Sequence, residues 1–516
     1  MTFASYVFLF VFLPIVVVGY YLLARLLRDQ RPALTWLVIA SLVFYASQGF
    51  GYLVVLAVSV AVNFVLAWLI TTRPADGRAR RALLLLGILA NLALLGAYKY
   101  TGFLADNLNG LFGTHLHALV QAYPVGLSFY TFIQIGYLID VSVGSARRPT
   151  FLRYALFGTF FPYVTAGPLV RRDEVLGQLD TPVRERTGTT QVAVGATMFA
   201  MGLFKKSVLA DNVAPFAGTL FNFAGSHDAI GAANGWLGMA AYTLQLYFDF
   251  SGYTDMALGL GYMLGIRLPV NFNSPLRATS MVDFWRRWHM TMTRFFTTYV
   301  YTPVAAGLMR RSAQNRYPAA LRIALVLCLP VVVTFLLVGL WHGAGWGFII
   351  WGAIQGAAMA VNLTWRELQT RIRLPRIPSP VGWALTMATF IGSLTFFRAA
   401  NVHTALVILR AMTGLGPAGA APGQFYGPGK FLNAVPVVPA VVWVALLAAI
   451  ALFPRNTQQI LGDFEVGLPA IATPQRPSRI HLVWRPDLRW AAAMAVLTAV
   501  ALVFAGGPSL FIYYKF

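Results

Sequence analysis

The 516-residue chain is 58% hydrophobic and only 11% charged, against roughly 25% charged residues in an ordinary soluble domain, which excludes a soluble globular enzyme. Its net charge of +22 comes from 39 Lys and Arg against 17 Asp and Glu. The excess is scattered through loops with no continuous basic arm, so nucleic acid is a poor partner, whereas a membrane protein carries such an excess beside anionic lipids.

Apolar runs occupy residues 3–27, 33–50, 53–70, 82–100, 324–340, 348–362 and 440–453. A bilayer takes about 20 apolar residues to cross, and the chain has room for about 10–12 such spans. The expected fold is an all-α polytopic membrane protein with one integral-membrane domain over 1–516. The first run is too long for a cleaved signal's apolar core of about 7–15 residues, so a retained span is expected there. Arg25, Arg28 and Arg31 follow the first run; Arg73, Arg78, Arg80 and Arg81 follow the third; Arg147, Arg148 and Arg153 follow the segment ending near Val141. The loops at 48–52 and 101–118 carry none. This alternation places the N-terminus outside and the arginine loops in the cytoplasm.

Residues 151–170 are apolar but interrupted by Pro162, Gly167 and Pro168, with Arg148 and Arg153 before them and Arg171 and Arg172 after. A re-entrant segment that returns to the cytoplasmic side accounts for both features, with a proline-kinked span as the alternative. Re-entry implies an interior cavity, because broken backbone at membrane depth needs protein or water partners. Cys328, the only cysteine, lies in an apolar run and is expected to be a buried free thiol. Further on, 413–430 holds six glycines and three prolines and reads as a flexible loop, and 454–489 is a second polar loop. Internal repeats and nucleotide-binding glycine motifs are absent.

Three stretches concentrate residues that are costly in a membrane. In 245–255, Gln245 and Asp249 lie one helical turn apart on a common face, which suits a polar cavity lining or a hydrogen-bond network; Asp255 points elsewhere. Asn271 and Asn273 then precede Pro275 in a turn-like entry to the next stretch. On a regular helix over 283–296, Phe284, Trp285, Trp288, Met292, Phe295 and Phe296 share one face. Asp283, Arg286, Arg287, Thr293 and Arg294 share the other, with His289 at the edge. Such a helix suits the membrane interface, its arginines reaching headgroups or a phosphorylated ligand.

The third stretch, 338–346, places His342 between two apolar runs. Ionisable residues there are rare and usually functional, a charged one costing about 2.5–3.5 kcal/mol on insertion scales. Burial disfavours charge, so a neutral ring able to accept a proton is expected. Glycines at 339, 343, 345, 347, 352 and 356 admit the close approach of either a neighbouring helix or a ligand.

Asp249-Phe-Ser-Gly-Tyr-Thr-Asp255, Asn271-Phe-Asn-Ser-Pro275, Phe284-Trp-Arg-Arg-Trp-His289 and Gly339-Leu-Trp-His-Gly-Ala344, in this order, resemble the membrane-bound O-acyltransferase family. The similarity is strongest to its alginate O-acetyltransferase branch. Val125-Gly-Leu-Ser-Phe-Tyr-Thr-Phe132, Ala166-Gly-Pro-Leu-Val-Arg171 and the terminal Phe511-Ile-Tyr-Tyr-Lys-Phe516 extend the resemblance along the chain. Thr291-Met-Thr293 departs from the usual serine pair, and Tyr301-Thr-Pro-Val-Ala-Ala-Gly307 departs from the usual Pro-Leu-Gly-Gly.

The resemblance implies a ring of tilted and re-entrant helices around a central funnel or tunnel. His342 matches the family's essential tunnel histidine, and His289 its second, more cytoplasmic one. His342 would then deprotonate an acceptor hydroxyl for direct attack on a thioester, with acetyl-CoA as donor substrate and no bound cofactor or metal. His289 would orient the donor or relay the proton. Arg286 and Arg287 would hold donor phosphates or lipid headgroups, with Trp285, Trp341, Asp249, Gln245 and Asn273 completing the substrate lining. The acetyl group would cross the bacterial inner membrane to an exported or cell-wall polysaccharide, through a separate extracytoplasmic SGNH-type acetyltransferase. The rival reading is a transporter or channel using the buried His and Asp residues, against which stands the lack of inverted repeats. A metal site is poorly supported, since His115 and His117 have metal-like spacing but no third ligand nearby.

Overall fold

Among the described residues seven helices are long and apolar enough to cross a membrane: Phe8–Leu26, Phe50–Thr71, Arg78–Phe112, Thr189–Ala224, Ala319–His342, Trp346–Ile372 and Ser379–Arg398. Shorter apolar helices cover Arg31–Ala46, Val402–Thr413, Val438–Leu452 and Leu488–Phe504. The computed structural model describes residues 1–119, 123–144, 148, 150–225, 230–372, 374–415, 437–471, 480–506 and 511–512. Arg147, most of the glycine-rich stretch and all but Phe511 and Ile512 of the terminal motif lie outside these residues. Among the described residues no strand forms, and the only β features are the isolated bridges Pro269 to Leu468 and Pro454 to Ile480. A helix satisfies its own backbone polar groups, which lipid cannot do, so the apolar runs fold as the polytopic all-α protein their lengths predict.

Side-chain polarity is arranged for lipid. On Phe50–Thr71, Val54, Val58, Val62 and Val65 are exposed, while Ser59 and Asn63 are buried. Asn63 Nδ2 donates to Asn91 Oδ1 at 3.2 Å and Asn91 Nδ2 donates back at 2.7 Å, joining this helix to Arg78–Leu95. Interhelical hydrogen bonds of this kind replace the hydrophobic drive that a bilayer cannot supply between helices.

Among the described residues the longest α-helix without a π turn, Ala232–Met263, runs through the interior with most of its side chains buried. It packs backbone to backbone on Thr189–Phe204. A Cβ on Gly195 would stand 2.6 Å from Gly259 O, and one on Gly202 would stand 2.6 Å from Gly252 O. Beyond Phe204 a π turn, Lys205–Ala210, presents two lysines to the same helix. Lys205 pairs with Asp255 at 2.6 Å, and Lys206 pairs with Asp249 at 2.8 Å and Asp211 at 2.6 Å. The two carboxylates hold distant parts of the chain. Asp255 accepts from Thr457 Oγ1 and Gln458 Nε2, which anchors the polar loop after residue 454, and Asp249 accepts from Ile512 N at 2.9 Å.

The segment 151–170 is a nine-residue helix, Phe151–Thr159, followed by non-helical backbone, and residues 154–170 are all buried. Its freed backbone groups find protein partners, as broken backbone at depth requires. Phe161 N donates to Ser41 Oγ at 3.1 Å and Leu169 N to Thr291 Oγ1 at 3.0 Å, while Leu169 O accepts from Arg294 Nη2. Arg153 at the entrance pairs with Asp180 at 2.5 Å beyond the exit. Both ends therefore lie on one side of the segment, the geometry of re-entry. Cys328 is half-buried, less so than its apolar run predicts, with its thiol 3.3 Å from Thr364 Oγ1.

Candidate active site

His342 is the last residue of the helix Leu329–His342, which ends because Gly343 is fully extended (φ −166°, ψ 154°). The return helix, Trp346–Ile372, packs against it through glycines. A Cβ on Gly352 would collide with Phe335 O, and one on Gly339 with Phe348 O. Helix packing therefore accounts for these two glycines, and Gly356 follows the same pattern against Val332. The His342 ring is 4% exposed and sits among Trp341, Trp351 and Phe397, with centroids at 4.8, 5.2 and 5.1 Å.

The stretch from Asp283 to Phe296 departs from the continuous helix its pattern predicts. It forms two short helices, Met281–Trp285 and Met290–Phe296, with His289 between them in the left-handed region at φ 43°. A non-glycine residue there costs about 1–3 kcal/mol and persists only when its surroundings fix it. Asn271 supplies much of that fixing. Its backbone carbonyl accepts from Met290 N at 2.9 Å, and its side-chain Oδ1 accepts from Thr291 N at 3.2 Å and Thr291 Oγ1 at 2.9 Å. Two first-turn N–H groups that a helix cannot satisfy itself are thereby met.

The same oxygen lies 3.1 Å from His289 Nδ1. An amide oxygen only accepts, so Nδ1 carries the proton and Nε2 keeps the lone pair. Burial pushes this imidazole down to about 3, so the ring is neutral at ordinary pH. The two histidine rings stand 6.4 Å apart between centroids, with Trp341 beside both.

The two arginines that the sequence pattern assigned to one helix face are set apart by their side-chain partners. Arg286 is exposed, whereas Arg287 is 2% exposed and turned inward, bound to Asp283 at 2.8 Å and to Asn273 O at 3.2 Å. A cavity of about 360 Å³ opens between the two short helices and the histidine helix. Its lining includes Trp285, Arg286, Met292, Arg294, Phe335 and Val338. Trp285 forms the inner wall; its indole donates to Gln355 Oε1 at 3.2 Å, and its ring lies 6.1 Å from Trp351, which packs on His342. Arg294 is held by Glu174 through both terminal nitrogens.

Gln245 is half-buried on the central helix one turn before Asp249, which is bound by Lys206 and Ile512 N. The Asn273 side chain accepts from Asn456 Nδ2 at 3.0 Å. His115 and His117 are exposed, and no three metal-type side chains converge among the described residues. Lys99 escaped the sequence reading. Its Nζ reaches Trp341 O at 2.6 Å, His342 O at 3.1 Å and Ser128 Oγ at 3.2 Å. The signal was present in the sequence, since a lysine inside the run 82–100 is as costly as the histidine at 342.

The model of the membrane-bound O-acyltransferase family matches residues 139–397, the region that contains both histidines. The chain is 37% identical over 434 residues to the peptidoglycan O-acetyltransferase of Helicobacter pylori, covering 79% of each protein. It is 37% identical over 422 residues to the probable alginate O-acetylase of Pseudomonas aeruginosa, covering 81% of this chain and 75% of the relative. To the probable alginate O-acetylase of Azotobacter vinelandii it is 36% identical over 425 residues, covering 81% and 79%. The chain belongs to the membrane-bound O-acyltransferase family and is a multi-pass membrane acyltransferase.

Proposed function

We propose that this protein moves an acetyl group from cytosolic acetyl-CoA across the bacterial inner membrane, for O-acetylation of an exported or cell-wall polysaccharide. The observation that carries the reading is the pair of buried imidazoles 6.4 Å apart, close to an apolar cavity bearing Arg286. One oxygen hydrogen-bonded to two ring nitrogens spans about 6–8 Å between ring centroids, a spacing that suits the engagement of one reacting group by both rings. His342 takes the proton from the acceptor hydroxyl, whose oxygen attacks the thioester carbonyl. The C–S bond then breaks, and the leaving thiolate of CoA recovers a proton. His289, held as the Nδ1–H tautomer by Asn271, offers Nε2 to the reacting groups and relays the proton or orients the donor.

Trp285 and Trp341 wall the reaction space, and Arg286 is placed to meet donor phosphates. Arg287, Asn273 and Asp249 brace this machinery from behind, with Gln245 adding polar lining. The names of the relatives point to glycan acceptors, and in this reading the final step belongs to an extracytoplasmic partner acetyltransferase of the SGNH type. The test is transfer from labelled acetyl-CoA in sealed, oriented vesicles, comparing wild type with His342→Ala at equal expression. Loss of transferred label by about a hundredfold or more is expected for removal of a general base. Equal transfer by the variant would remove His342 from the chemistry.

A further inference from the structure

A helix leaves its last four carbonyls without an intrahelical donor. In the histidine helix these belong to Gly339, Leu340, Trp341 and His342, and each has a donor. Gly343 N donates to Gly339 O at 3.3 Å. The Tyr100 hydroxyl donates to Leu340 O at 2.6 Å, and Lys99 Nζ donates to Trp341 O at 2.6 Å and to His342 O at 3.1 Å. Two consecutive residues of a different span thus complete the helix end that carries His342.

These residues lie in a π turn, Gly96–Tyr100, which interrupts the helix begun at Arg78. Single π turns of this kind occur frequently at functional sites. Lys99 accounts for all three N–H groups of an ammonium, the third going to Ser128 Oγ at 3.2 Å. The Ser128 carbonyl in turn lies 3.4 Å from Trp341 Nε1, so the clamp and the indole share a partner. Among the described residues no carboxylate forms an ion pair with Lys99. Its charge is set against the partial negative charge of the helix C-terminus instead. Charge-assisted bonds are roughly twice as strong as neutral ones, so an ammonium holds these carbonyls more firmly than a second hydroxyl would.

We propose that Lys99 is a positioning residue for acyl transfer, its ammonium locking the end of the histidine helix so that the His342 imidazole stays facing His289. The proposal rests on the reading of His342 as the base. Misplacing a catalytic group by about 1 Å costs about a hundredfold in rate. Removing the ammonium therefore lowers turnover without weakening donor binding, because Lys99 does not line the donor cavity.

The experiment uses the full-length protein in proteoliposomes with labelled acetyl-CoA as probe, and compares wild type, Lys99→Met, Lys99→Arg, Tyr100→Phe and His342→Ala. Lys99→Met is expected to lower kcat by about ten- to a hundredfold while KM for acetyl-CoA stays within about twofold, with Lys99→Arg recovering part of the loss. Wild-type kcat in Lys99→Met, or kcat and KM worsening together, would overturn the proposal. If Lys99→Met does not assemble in the membrane, Tyr100→Phe decides: lower kcat at constant KM supports the clamp, and unchanged kcat overturns it.

Failure of the functional reading is separately visible, as activity surviving in His342→Ala or as no transfer by wild type. In those cases amide hydrogen exchange at the helix end around His342 decides whether the clamp exists. Faster exchange in Lys99→Met than in wild type supports it, and equal exchange overturns it.

Discussion

One side-chain oxygen of Asn271 accepts from a histidine ring, a backbone N–H and a hydroxyl, so a single amide sets both the start of a helix and the tautomer of His289. Asn271→Ala removes all three bonds and leaves a buried N–H without its acceptor, a loss of about 1–3 kcal/mol. The expected outcome is a lower melting temperature in detergent together with a fall of at least about tenfold in acetyl transfer, measured at saturating donor. Activity equal to wild type would mean that the orientation of His289 is set elsewhere. Thr291 shows how a departure from the family pattern is accommodated. Its hydroxyl donates to Asn271 and accepts from Leu169 N, tying the histidine turn to the re-entrant segment.

At the scale of elements, two devices place His342: the glycine seam between the histidine helix and its return partner, and the abrupt stop at Gly343. The seam brings backbone carbonyls where a Cβ would need to be. Backbone cannot swing aside as a flexible side chain can, so Gly352→Ala is expected to destabilise by about 1–3 kcal/mol, the range for overpacking. Gly218→Ala is the control, because an added Cβ meets nothing within 4 Å there and alanine favours a helix by about 1 kcal/mol over glycine. Thermal unfolding of the purified protein in detergent, followed for both variants, checks the contrast; equal effects would show that the seam is loose. The broken helix at 286–289 works differently. The left-handed turn at His289 leaves that ring 6.4 Å from His342, while upstream of it Arg286 lies at the cavity and Arg287 is bound inward by Asp283.

Across the whole molecule, the central helix gathers distant parts of the chain through two lysine and aspartate pairs. Lys206 joins Asp249 and Asp211 with side chains 7%, 2% and 24% exposed. Removing one partner of a buried pair costs about 3–5 kcal/mol, because the remaining charge is stranded. Lys206→Met is therefore expected to lower stability by that amount. Lys206→Met combined with Asp249→Asn recovers part of it, since the substituted amide is neutral and its oxygen still accepts from Ile512 N. Unfolding midpoints of the two variants, read side by side, test this; a double variant no better than the single one would mean that the carboxylate charge is not what the lysine offsets.

The amino-acid sequence alone determined the class of fold and the residue types of the site. Lengths of apolar runs set helices against lipid, because lipid offers no partner for an unpaired backbone group. Pro162, Gly167 and Pro168 between flanking arginines marked the re-entrant segment, and the expense of a histidine between two spans marked His342. The tertiary structure alone decided which polar residues meet.

The periodic pattern put Arg286 and Arg287 on one face, and the bonds of Arg287 to Asp283 and Asn273 O set them apart. The left-handed turn at His289 is imposed by Asn271, eighteen residues earlier in the chain, and no local pattern contains it. Lys99 is farther still, 242 and 243 residues from the carbonyls it holds. Local sequence specifies which groups are costly to bury, but the partners that make the burial tolerable are chosen by packing between distant segments.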